Sequence, residues 1–297
     1  MTGGATPGLP ASRSIDIEGL TLAYVDVGDG PPVVCVHGNP SWSFYFRSLL
    51  AALPAAGLRA IAPDHIGMGR SDKPPAGPYP HTLARRITDF GQFLDAVVPD
   101  GPVSLVVHDW GGAIALGWAV EHPDRVDRLV LLNTAAFPLP PGKPLPVALR
   151  LARAPVVGTL AVRYGNAFAR GATVFGTARR WLPREARRGL TAPYDSPSTR
   201  VAVHEFIRDI PTRPAHPAYA PLARIEQRLP LLSGRPTLIC WGMRDFVLDE
   251  RILARWQQLL PDARVQRYAD AGHYVLEDEP GRIVASVVSF LTATSAS

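Results

Sequence analysis

Three residues far apart in the chain have the types that carry acyl or alkyl transfer: Asp109, Asp245 and His273. Each follows a short apolar run. Asp109 ends Val103-Ser104-Leu105-Val106-Val107-His108, Asp245 follows Leu238-Ile239-Cys240-Trp241-Gly242-Met243-Arg244, and His273 follows a strand-like stretch over 264–268 in Asp270-Ala271-Gly272-His273-Tyr274. Such runs read as buried strands of a parallel sheet, and loops at the carboxyl ends of parallel strands meet in space. Residues 136 and 28 positions apart can therefore converge. A carboxylate needs no deprotonation before it attacks, so His273 is free to act on a second step, as base toward water at an ester on Asp109. Asp245 would orient His273 and stabilise its imidazolium.

The turn after Asp109 is equally informative. Trp110-Gly111-Gly112 opens a segment of good helix formers over 113–120, which gives a strand, a sharp turn and a helix whose N-terminus favours negative charge. The structural alternative for Asp109 is an ordinary helix N-cap. A second tight loop, His37-Gly38-Asn39-Pro40, follows the strand Val33-Val34-Cys35-Val36. The backbone N–H groups of Asn39 and Trp110 would form an oxyanion site, and the Asn39 amide and Trp110 indole would hold a halide or a leaving carboxylate or alkoxide.

These residues need a scaffold, and the 297-residue chain is long enough for one α/β domain with an insertion. Strands near 21–27, 33–36, 59–62, 103–107, 126–133, 236–241 and 264–268 alternate with helices near 45–53, 82–97, 113–120, 250–260 and 280–291. Gly28-Asp29-Gly30 reads as a hairpin-like turn after the first of these strands. The rhythm breaks over 134–235, where no convincing strand occurs. We expect a flexible tail over 1–14, a core of 15–133 and 236–293 built on a mostly parallel eight-stranded sheet, and a helical cap over 134–235.

With hydrophobic residues at 46% and charged ones at 19%, the composition is that of an ordinary globular protein. No stretch approaches a bilayer span, the N-terminus lacks a secretory pattern, and Cys35 and Cys240 sit in apolar runs, which together predict a reduced, cytoplasmic protein. No phosphate-loop, His-Glu-x-x-His or paired-Cys motif occurs, so no cofactor or metal is expected. The cap holds 16 Lys and Arg against five Asp and Glu, a net of +11, which leaves −6 for the remainder. This asymmetry fits either a patch for an acidic partner, an anionic substrate or a membrane, or a merely solvated Arg-rich surface. The arginines lack the aromatic interleaving of a nucleic-acid site.

The order nucleophile, acid, histidine is that of the α/β-hydrolases, but no G-x-S-x-G is present. The motifs at 37–40, 108–112, 241–245 and 272–273 resemble the haloalkane dehalogenase branch. Asp64-His65-Ile66-Gly67-Met68-Gly69, Asn133-Thr134-Ala135-Ala136-Phe137-Pro138-Leu139-Pro140, Asn166-Ala167-Phe168, Ala192-Pro193-Tyr194, Arg208-Asp209-Ile210-Pro211, Arg244-Asp245-Phe246-Val247 and the run from Asp270 to Asp278 resemble more closely the β-lactone decarboxylases of bacterial long-chain olefin biosynthesis. That resemblance implies a long-chain cis-β-lactone cleaved to a cis-alkene and CO2, and association with thiolase-like and lactone-forming enzymes. Haloalkane dehalogenation is the first alternative. Epoxide hydrolysis is the second, because the cap tyrosines Tyr164, Tyr194 and Tyr219 could protonate an epoxide. A catalytically inert binding subunit is a further alternative, against which the intact Asp-His-Asp set argues.

Overall fold

A computed structural model describes residues 8–178 and 181–293. Half of the expected flexible tail, residues 1–7, lies outside the described residues. Its end is ordered: the first strand, β1, spans Ser12–Ile17 and supplies the eighth strand, three residues ahead of the expected start of the core. A tight turn at Glu18 and Gly19, both at positive φ (50° and 83°), returns the chain antiparallel into β2, Leu20–Val27. Two successive left-handed residues are what a two-residue hairpin requires.

The turn at Gly28-Asp29-Gly30 is not a hairpin, which corrects that expectation. It leads to β3, Pro32–Val36, which does not pair with β2. A helix α1, Arg47–Ala55, then leads to β4, Arg59–Pro63, and it is β4 that inserts between β2 and β3. There follow α2 (Leu83–Val97), β5 (Val103–Asp109), α3 (Trp110–Ala119) and β6 (Val126–Thr134). Among the described residues of 135–235 there are helices and no strand: α4 (Val147–Arg153), α5 (Pro155–Gly158), a π-helical turn over Thr159–Tyr164, α6 (Ala167–Phe175), α7 (Arg184–Thr191), α8 (Val201–Arg208) and α9 (Tyr219–Arg228). The core resumes with β7 (Thr237–Gly242), α10 (Glu250–Leu259), β8 (Arg264–Tyr268), the single turn α11 (Val275–Asp278) and α12 (Pro280–Thr292).

The sheet order is β1-β2-β4-β3-β5-β6-β7-β8, with the last six strands parallel and both antiparallel pairings at the β1–β2–β4 edge. Apolar clusters cover both faces. That accounts for the unbroken apolar runs in β3, β5 and β7, since a strand covered on both sides has no solvent face to mark with polar residues. The helix α3 lies so close to β3 that a Cβ on Gly111 would meet the Val36 carbonyl oxygen at 2.0 Å.

Buried polar contacts tie the helical segment to the core. The Asp209 carboxylate accepts from the Leu83 backbone N–H at 2.6 Å and faces Arg86, itself buried, at 3.5 Å. The Trp42 indole donates to the Gly189 carbonyl at 2.9 Å. Among the described residues no helix is long and apolar enough to cross a membrane.

Candidate active site

The parallel strands end on one edge of the sheet, and all five predicted site residues meet there. Asp109 closes β5 at φ 51°, a left-handed conformation rare for a residue with a Cβ, and its side chain makes no capping bond to α3. The N-cap alternative is not met in its usual form, in which the carboxylate accepts from the second or third N–H of its own helix; of α3 only the first N–H, that of Trp110, acts on this carboxylate. Strain of this kind, on the order of 1–3 kcal/mol, persists where the surroundings over-determine it. Here it turns the carboxylate out of the sheet toward His273.

The His273 Nε2 lies 3.6 Å from Asp109 Oδ2, and its Nδ1 donates to Asp245 Oδ2 at 2.7 Å. Asp245 is buried and also accepts from the backbone N–H groups of Val247 at 2.8 Å and Leu248 at 2.9 Å. Burial opposes its ionisation, but His273 and these donors outweigh it and hold the carboxyl below its ordinary value. Burial likewise disfavours a charged His273 ring, yet the two carboxylates prevail and raise it to about 9. Both carboxylates thus favour the protonated ring. Burial pushes the Asp109 carboxyl upward, against His273 and the backbone N–H groups of Asn39 and Trp110.

The oxyanion donors show an arrangement that the sequence did not reveal. The Asn39 N–H donates to Asp109 Oδ1 itself, at 2.7 Å. The Asp109 carboxylate itself thus occupies the expected donor site, with Oδ1 held and Oδ2 facing His273. The Asn39 amide is also less open than expected, since its Nδ2 donates to the Val203 carbonyl of α8 at 3.0 Å. One of its two amide hydrogens is committed to the cap. Trp110 is half-buried beside Asp109 and borders both cavities described below.

Two further residues complete the site, and sequence reasoning gave them no role. Asn133 occupies an irregularity in the β5–β6 register, where His108 and Asp109 face Leu132 and Thr134, and takes φ 32°. From there its Nδ2 donates to Asp245 Oδ2 at 3.0 Å, and its Oδ1 accepts from the Gly242 N–H at 2.7 Å. Thr134 donates its hydroxyl to the Asp109 carbonyl at 2.5 Å. A signal existed: Asn133 and Thr134 are the first polar residues after Leu129-Val130-Leu131-Leu132, the same pattern that exposed Asp109. His108 also supports the site, donating from Nε2 to the His273 carbonyl at 2.9 Å.

Gly38 packs directly on the Asp109 side chain. A Cβ there would lie 2.2 Å from Asp109 Oδ1 and 2.4 Å from its Cβ. Gly38→Ala should displace the carboxylate and lower kcat by about a hundredfold, the scale set by misplacement of about 1 Å. Turnover measured beside a thermal melt checks this, with the fold expected to survive.

Two mainly apolar cavities meet at Asp109 and Trp110 and share Leu149, Ile210 and Val247. The smaller, about 90 Å³, is walled by Phe137, Leu139 and the 143–146 segment. Lys143, buried, pins that segment to Asp249 at the start of α10 through a 2.8 Å ion pair. The larger, about 250 Å³, runs past Phe168, Ala172 and Phe175 and includes His273. None of the cap tyrosines borders either cavity: Tyr164 is exposed, Tyr194 is buried and donates to the Ser41 carbonyl at 3.2 Å, and Tyr219 lies at the start of α9. Epoxide opening loses its proton donors.

The profile of the family described as "alpha/beta hydrolase fold" matches residues 31–280. The chain belongs to that family. This α/β-hydrolase is 44% identical over 287 residues to the cis-3-alkyl-4-alkyloxetan-2-one decarboxylase of Shewanella oneidensis, covering 96% of this chain and 90% of the relative. It is 33% identical over 281 residues to haloalkane dehalogenase 2 of Mycobacterium tuberculosis, covering 93% of each. Among solved structures it superposes on the haloalkane dehalogenase DatA of Agrobacterium tumefaciens C58 with a TM-score of 0.85 at 26% identity, covering 95% of this chain and 96% of that one. The expected fold and its dehalogenase kinship are thus both found in the α/β-hydrolase described here.

Proposed function

We propose that this enzyme cleaves a long-chain cis-3,4-dialkyl β-lactone to a cis-alkene and CO2, with Asp109 as nucleophile, His273 and Asp245 as its partners, and Asn39 and Trp110 as the donors around the reacting carboxylate. One observation carries the reading: two separate apolar cavities meet at the Asp109 carboxylate. A 3,4-disubstituted lactone has two alkyl arms diverging from a small polar ring. One arm in each cavity leaves the ring at Asp109. A simple haloalkane has one arm and leaves a cavity unfilled, and the higher identity to the decarboxylase relative favours the same choice.

The donor arrangement supports attack at the alkyl carbon. Attack on the lactone carbonyl would need the oxyanion donors to receive the substrate's oxygen, but the Asn39 N–H already binds Asp109 Oδ1. Attack by Oδ2 on ring carbon 4 breaks its bond to the ring oxygen, which leaves as a carboxylate, and gives an Asp109 ester. The bond from carbon 3 to that carboxylate then breaks and releases CO2. Its electron pair forms the double bond and expels the Asp109 carboxylate. Inversion followed by anti elimination converts a cis-lactone into a cis-alkene, and no water is consumed. The His273 imidazolium would stabilise both departing carboxylates.

Narrowing one cavity at a time should separate the arms. Leu139→Trp in the smaller and Ala172→Trp in the larger are each expected to raise KM roughly tenfold for lactones with a long chain on the obstructed side. Lactones with a methyl group on that side should be spared. The reading as a whole is tested by offering a long-chain cis-β-lactone and a bromoalkane and following alkene and bromide. Alkene is expected from the lactone, and bromide without alkene would overturn the assignment. A cytoplasmic location and association with thiolase-like and lactone-forming enzymes belong to the same proposal, supported by the family resemblance of the cap motifs.

A further inference from the structure

The cap is apolar on its outer side as well as its inner one. Leu149 of α4 faces both cavities, while Val147 and Leu151 of the same helix are 65% and 55% exposed. The next turns continue the pattern, with Val156 at 69%, Leu160 at 58% and Tyr164 at 63% exposure. These elements pack against one another, which puts the exposed side chains on adjoining turns of the cap, here called the ridge. The ridge leads to the mouth of the larger cavity, whose outer wall includes Ala148, Phe175 and Phe246, the two rings exposed at 69% and 54%. An apolar patch of this extent on a globular protein marks an interaction site.

The stretch of chain that carries the ridge has charge of one sign, the neighbouring acids Asp195 and Glu205 coming from later segments. From Thr134 to Arg184 the chain contains eight Lys and Arg and no Asp or Glu. Arg150, Arg170 and Arg184 are exposed and pair with no carboxylate among the described residues. Exposed aliphatic and aromatic side chains amid unpaired arginines are the chemistry that inserts at an anionic lipid interface.

We propose that this face of the cap docks on an anionic lipid surface, bringing the mouth of the larger cavity to the lipid so that a long-chain substrate enters from it and the hydrocarbon product leaves into it. The proposal rests on the reading of the substrate as a long-chain lactone. A lipid surface fits better than an acidic protein because the apolar ridge is continuous with the opening of a cavity suited to an alkyl chain.

The test is co-sedimentation of the full chain with vesicles of phosphatidylglycerol mixed with phosphatidylcholine, and with phosphatidylcholine alone. Wild type should pellet with the anionic vesicles and much less with the neutral ones. Two triple variants, Leu151→Glu with Val156→Glu and Leu160→Glu, and Arg150→Glu with Arg170→Glu and Arg184→Glu, should each lose roughly tenfold or more of that binding. Turnover of a short-arm, water-soluble lactone in the same preparations shows that the variants are folded and tests the chemical reading separately. Wild-type protein left in the supernatant, or variants that bind as wild type does, would overturn the proposal. Retention by the pathway enzymes without vesicle binding would overturn it too, and assign the face to a protein.

Discussion

Asp109→Asn should lower alkene formation by about 10⁴-fold or more while leaving the protein folded. The amide matches the carboxylate in shape and can keep the Asn39 N–H bond through its oxygen, so the strained backbone at φ 51° and the packing against Gly38 need not change. What disappears is the negative oxygen that attacks carbon 4 and later leaves it. Removing a buried charge next to His273 also takes away one of the groups that raise that ring. The variant should therefore melt near the wild-type temperature yet show a histidine that titrates lower, observable by NMR of the ring protons. Substantial alkene formation by a verified Asp109→Asn protein would mean that another group attacks the lactone.

His273→Gln should cost about 10³-fold, and the pH profile explains why. Wild-type His273 is held protonated up to about 9 by Asp245 and Asp109, against the effect of burial. If the imidazolium is the working form, kcat/KM must fall as pH rises through about 9, when the proton leaves. It must also fall on the acid side as Asp109 protonates, at a pH above that of an ordinary carboxyl because burial pushes Asp109 upward. The profile is a bell whose alkaline limb vanishes in the glutamine variant. A kcat that instead climbs toward pH 9 would mean that the neutral ring works as a base toward water, as in hydrolysis of an ester on Asp109.

The proposed catalytic set was legible in the chain because each member stands at or shortly after a strand, and for Asp109 and Asp245 that strand is a buried one, where a polar side chain has no structural reason to stand. Asp109, Asp245 and His273 could be placed together from strand order alone, since parallel strands share a carboxyl edge. The first strand was not legible. Ser12–Ile17 is a largely exposed edge strand with little apolar patterning, and its turn at Glu18-Gly19 lacks the usual Asn-Gly or Asp-Gly signal. Asn133 was visible as the start of a family-like motif but had no role assigned, because its contacts depend on a register irregularity that no local pattern announces.

The cap was harder for a different reason. Its helices pack through contacts remote in sequence, such as the bond from Asn39 to Val203 across 164 positions, and these decide which donors remain open. The two cavities depend on the proline-rich segment before α4 and on its anchorage by Lys143 to Asp249, a pair that no spacing rule connects. Reaction type was therefore readable from the strand ends. The two cavities that meet at Asp109 emerged only from the packed structure.

The most direct measurement is a turnover of a long-chain cis-3,4-dialkyl β-lactone in ¹⁸O-water, followed by mass analysis of the organic products and of the peptide carrying Asp109. Attack at carbon 4 with decarboxylative elimination predicts cis-alkene in proportion to lactone consumed, no β-hydroxy acid, and an unlabelled Asp109 after many turnovers. A β-hydroxy acid product with ¹⁸O appearing in Asp109 would contradict it, for water would then be cleaving an ester that should have released an alkene.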